Sequence, residues 1–249
     1  MSSSTLVHRR GGFLALLAGL ALVTALATAL ATALFDTGHA ATAHEGGRHS
    51  HAAPVGRSHA QSEAPARALT RAQAVFQDQM RVLWEDHVTW TRLAIVTFAD
   101  GSAGFDATAA RLLRNQEDIG DAIKPFYGEA AGNQLAMLLK DHIGIAVELL
   151  QAAKAGDGAA FENANAAWYA NANDIADFLA RANPRYWPQD VMRAAMKGHL
   201  DQTLAEASHQ LAGEYAKSAA DYDEIHHHIL GMADILSTGI MRAFPNRFH

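Results

Sequence analysis

Three histidines recur at nearly constant spacing along the chain: His87, His142 and His199 lie 55 and 57 residues apart. Asp86, Asp141 and Gly198 precede them. A second cluster follows each at a matching distance: Asn115-x-x-Asp118-Ile-Gly-Asp121, Asn171-x-x-Asp174-Ile-Ala-Asp177 and His228-x-x-Gly231-Met-Ala-Asp234. The chain has no cysteine and 14 histidines, so disulfides, thiolate metal sites and cysteine nucleophiles are excluded and imidazole is the abundant ligand. Three imidazoles with a carboxylate suit a divalent transition metal: zinc, copper, nickel or non-haem iron. The expected donors are His87, His142, His199, His228, Asp118 and Asp174, with Asn115 and Asn171 beside them.

Other readings of these residues stay open. Each histidine can hydrogen-bond the Asn or Asp of its own helical pair, closing a polar network that fixes helix register. An interior cavity lined by Trp90, Trp168 and Phe178 would instead take a hydrophobic or anionic small molecule. An enzyme would need His87 or His142 beside Asp118 or Asp174 in an open cleft. No glycine-rich phosphate loop, Gly-x-Ser-x-Gly elbow or His-Glu-x-x-His helix occurs, so no catalytic residue is assigned. In His226-His227-His228, successive helical positions turn by about 100°, so at most one or two point inward; Glu224 and His228 are four apart and can act together. Arg92 is expected in a salt bridge.

The elements that position these groups are helical throughout. Thr70 and Gln73 have capping-box form, and an amphipathic helix follows to about Ala99. Further helices are expected over about 106–123, stopped by Lys124-Pro125, over 130–155, and over 159–182, with two more divided near Gly213. Gly101, Gly156 and Gly213 fall within the repeating units at equivalent places. The pattern predicts an all-α, six-helix bundle of three repeated αα-hairpins over residues 68–249. Met80, Leu83, His87, Trp90 and Ala94 share one helical stripe, and Leu135, Leu138, His142, Ile145 and Leu149 share another, so both histidines are expected inside. The stripe through His199 is mixed, which puts that residue at the edge.

The preceding residues have a different character. Arg9 and Arg10 lead into an uncharged apolar run from Phe13 to Phe35, long enough to span a bilayer, and Ala41-Thr42-Ala43 has the form of a signal-peptidase site. Residues 1–43 read as a signal peptide or an N-terminal membrane anchor, and the positive-inside rule places the remainder outside the cytoplasm. Residues 44–67, with His44, His49, His51 and His59, read as a disordered His/Ala/Gly-rich tether. A formal charge of −6 offers no basic surplus for a nucleic-acid partner. The remaining partners are a membrane, if the segment is uncleaved, and a small ligand or metal ion.

Trp84-Glu-Asp-His87-Val-Thr-Trp90-Thr-Arg92, Lys124-Pro-Phe-Tyr-Gly128 and Trp168-Tyr-Ala-Asn171-Ala-Asn-Asp174-Ile-Ala-Asp177 carry a resemblance. Over residues 76–249 the chain resembles a family of uncharacterised helical bacterial proteins, often named glycosyltransferase or acetylglutamate kinase. The residues support neither chemistry. The resemblance implies a bacterial source and an exported form of a helical domain, and it brings no activity with it.

Overall fold

Thr70 begins the first helix as the sequence leads one to expect: its hydroxyl accepts from the Gln73 backbone while the Gln73 side chain accepts from the Thr70 backbone. The computed structural model describes residues 68–249; the expected export segment and tether lie outside them. Six α-helices follow in order: α1 (Arg71–Ala99), α2 (Phe105–Tyr127), α3 (Glu129–Ala155), α4 (Gly158–Ala182), α5 (Gln189–Leu211) and α6 (Tyr215–Ala243), then a 3-10 turn over Pro245–Arg247. No strand occurs among the described residues. None of their helices is long and apolar enough to cross a membrane.

Short connections make successive helices antiparallel neighbours. Three are turned by glycines in the left-handed region, Gly101, Gly156 and Gly213, at φ of 65°, 69° and 75°, where a side chain would be strained. Each helix packs on the next, and α6 returns onto α1, closing the bundle into a ring. The ends of the described chain meet: Thr70 Oγ1 donates to the Phe248 carbonyl, and Phe248 packs on Phe76 and Phe126.

Pro125 corrects one expectation. Helix α2 continues through it to Tyr127 and stops at Gly128. The interrupted turn is held from outside, because Phe126 packs against Phe76, Phe244 and Phe248, and Arg247 donates to the Pro125 carbonyl. Tertiary burial of the last turn thus outweighs the local cost of the proline.

The ring is drawn tight at its joints by two devices. Between α4 and α5, Asp177 accepts from Gln189 and from both arms of Arg193. Between α6 and α1, Asp234 receives the same fork from Gln77 and Arg81. Gln and Arg are four residues apart in both cases, one turn along the donating helix. Between α2 and α3 no such fork forms; Gly120 and Gly132 bring the two backbones together instead. A Cβ on Gly120 would stand 2.5 Å from the Gly132 carbonyl oxygen.

Candidate functional site

The histidines of α1, α3 and α5 face the interior. His87, His142 and His199 are 3%, 3% and 4% exposed, so His199, expected at the edge, is as buried as the others. The apolar line through Leu200 and Leu204 shares the inward face with it because α5 is covered on both sides, by α4 and α6, and α1 touches it across the bundle. All three imidazoles line one cavity of about 50 Å³, room for a few water molecules. Its walls are almost wholly apolar and include Leu112, Ile143, Trp168 and Leu204. The His87 and His199 rings stand 5.5 Å apart between centroids, and His142 is stacked on Trp168 at 5.2 Å.

Their hydrogen bonds are incomplete. His142 Nδ1 lies 2.8 Å from Asn171 Oδ1, an oxygen that can only accept, because the other end of the amide donates to the Leu138 carbonyl. Nδ1 therefore carries the proton and the ring's lone pair is at Nε2. That nitrogen is buried without a partner. His199 Nδ1 is likewise buried and unpaired. His87 Nδ1 lies 3.2 Å from Gln116 Nε2, which also donates to the Leu112 carbonyl at 2.8 Å, and Gln116 Oε1 has no partner. The Leu112 carbonyl and Asn115 Oδ1, at 2.8 and 3.3 Å, fix the amide nitrogen on that side, so His87 Nδ1 accepts from Gln116 and the proton of the ring is at Nε2.

The second cluster divides by position. Asn115 donates to the carbonyl of Leu83, Asn171 to that of Leu138 and His228 to that of Ala195. Each acceptor lies four residues before one of the interior histidines. His228 thus has a structural partner of its own and leaves the cavity to the other three. Its larger ring also bears on Gly198, which stands where Asp86 and Asp141 precede the other two histidines: a Cβ there would sit 3.2 Å from His228 Cε1.

The carboxylates do not join them. Asp118 is 39% exposed and lies 3.9 Å from Arg111, while Asp174 is exposed. Three residues beyond Asn115 or Asn171 is about 60° round the helix, enough to carry both out of the interior. Glu224 and His227 are exposed, and His226 pairs with Glu85 at 3.2 Å. Trp90 is half-buried under the Arg111 guanidinium, and Trp187 is fully buried with its indole donating to Ile235. The expected Arg92 salt bridge is present: Arg92 donates to Glu206 at 2.6 Å and to Ser218, whose hydroxyl donates to Gln210. Glu206 and Gln210, both buried, escaped the sequence reading. Their four-residue spacing on the stripe of His199 was the available signal.

Electrostatics keep the imidazoles neutral. Burial, with the neighbouring His142, pushes His87 down to about 3 against a small opposing effect of Gln116. Burial pushes His142 down to about 4, and burial with the other histidines takes His199 well below its ordinary range. Neutral imidazole is the form that ligates metals. Among the described residues no group of three His, Asp or Glu side chains is placed to hold a metal ion as it stands. No family model, no curated protein and no solved structure matches the chain.

Proposed function

We propose that the bundle binds a transition-metal ion in its interior through His87, His142 and His199, for sensing, storage or delivery rather than turnover, in a protein that is exported or anchored to the membrane by residues 13–35. The observation that carries this reading is His142. Asn171 fixes its tautomer, and the Leu138 carbonyl fixes Asn171, so a lone-pair nitrogen is held without a partner at a cavity shared with two other imidazoles. Metal-ligating histidines are oriented by such bonds at the far ring nitrogen. An imidazole kept only for register would carry an unmet polar atom at a cost of about 1–3 kcal/mol. Asp118 and Asp174 fall away as donors in this arrangement, and His228 serves the α5 backbone.

The three carbonyl bonds at matching offsets, together with the three left-handed glycines, support a chain built from three copies of one helical hairpin. In that reading the Asn115, Asn171 and His228 positions are the register device, and the histidines opposite them are free for another use.

A second reading has its own support: the apolar cavity walls would accept a small hydrophobic molecule. Metal analysis of untagged full-length protein, beside His87→Ala and His142→Ala, separates the two. One ion per chain, a raised Tm on metal addition and loss of both in the variants are expected. Absence of stoichiometric metal, with stabilisation by apolar probes such as benzene or xenon, would overturn the metal reading.

A further inference from the structure

We propose that the ion taken by this site is monovalent copper, cuprous rather than divalent; the inference rests on the interior imidazole site proposed above. Charge is the first argument. The cavity wall carries no carboxylate among the described residues. The buried Glu206 is seven residues, about two turns, along α5 from His199 and is already engaged by Arg92. A bound ion would therefore keep its whole charge in apolar surroundings. The cost of moving an ion out of water scales with the square of its charge, so a divalent ion is penalised about four times as heavily as a monovalent one.

Coordination gives the second argument. A divalent ion such as zinc completes its shell with four or more donors, often water or carboxylate, and a small apolar cavity with no carboxylate in its wall supplies few of them. Cuprous copper has a filled d shell, accepts two or three neutral donors and takes imidazole. His87, His142 and His199 set three neutral imidazoles on that one cavity, and such an ion needs only two of them. The unpaired nitrogens of His142 and His199 are the donors such an ion would satisfy.

The test titrates full-length untagged protein with cuprous ion, anaerobically and with ascorbate as reductant, against a chromophoric cuprous chelator. Parallel titrations use zinc against a fluorescent zinc chelator. The comparison protein carries His87→Leu, His142→Leu and His199→Leu, and every other histidine is the same in both, so the difference reads the interior alone. One cuprous ion per chain that depends on the three histidines is expected, with interior zinc at least about 100-fold weaker. X-ray absorption should show two or three nitrogen neighbours and no sulfur. Interior zinc as tight as copper would overturn the charge argument and leave the metal site standing. No difference between the two proteins for either ion would overturn both. Should the triple variant not fold, His199→Leu alone removes one of the paired rings and must still weaken cuprous binding at least about 10-fold; unchanged affinity would refute the site.

Discussion

Two groups of buried polar side chains occupy neighbouring stretches of α5, and they are finished to different degrees. Toward its C-terminal end, Glu206 is met by Arg92, Arg92 also by Ser218, and Ser218 by Gln210. Two turns earlier, His199 lies beside His87 on the wall of a cavity with Nδ1 unpaired, and His142 on the same wall has Nε2 unpaired. Both groups are expensive to bury. One offsets that cost with partners within the fold, and the other leaves donor atoms open. The first network closes on itself within the fold, and the second leaves two ring nitrogens without partners.

Acid should separate the two groups most widely, because they titrate with opposite signs. The histidines have folded values below the unfolded 6.5, about 3 for His87 and about 4 for His142, so the native state binds fewer protons than the unfolded chain. Their stability contribution is present above pH 6.5 and lost as pH falls toward those folded values. Glu206 is raised from 4.5 to about 7 by burial, against the opposing pull of Arg92. Its contribution is present below pH 4.5 and lost as pH rises through 7. Each group contributes up to about 1.4 kcal/mol per pH unit. Three histidines against one glutamate should leave a net loss of stability as pH falls from 6.5 to 4.5, at most about 3 kcal/mol per unit. Urea titrations at successive pH values measure it, and replacing all three histidines with Leu should reverse the slope. A flat wild-type profile would mean that the imidazoles are not buried as described.

Breaking the closed network should cost more than breaking the open one. Arg92→Ala leaves Glu206 buried without its cation and should destabilise by about 3 kcal/mol in urea denaturation. Replacing both, Arg92→Met with Glu206→Leu, should restore most of that. A double variant as unstable as the single one would mean that the ion pair is not what Arg92 contributes. Asn171→Ala removes the bond to the Leu138 carbonyl and the lock on His142, and should cost about 1–3 kcal/mol while weakening metal binding. The smallest effect is expected at the open group itself. In metal-free protein His142→Leu should change stability by less than about 1 kcal/mol, or raise it, since it removes an unmet nitrogen. A loss as large as that of Arg92→Ala would give the imidazole a structural role and blur the contrast.

Most of the helical frame was legible in the chain. Thr70 and Gln73 announced the first helix, and the glycines at 101, 156 and 213 marked turns that do need positive φ. Pro125 misled because local propensity stops a helix there, whereas Phe76, Phe244 and Phe248, packed on Phe126 of the last turn, carry α2 on to Tyr127. The candidate site was legible in its histidines and less so in its carboxylates. Asp118 and Asp174 looked like neighbours of Asn115 and Asn171, yet a 60° turn of the helix is the difference between core and solvent.

Sequence alone determined that this protein is helical where it is described, where its three glycine turns at 101, 156 and 213 fall, and which positions recur with imidazole chemistry, because glycine conformations and helical periodicity are local properties of the chain. Only the tertiary structure decided which of those groups find partners. Asn115 reaches Leu83, His228 reaches Ala195, and Arg92 reaches Glu206 across 32, 33 and 114 residues of chain. Hydrogen bonds of that kind depend on how helices are set against one another, and their absence at His142 Nε2 and His199 Nδ1 is likewise a property of the packed ring.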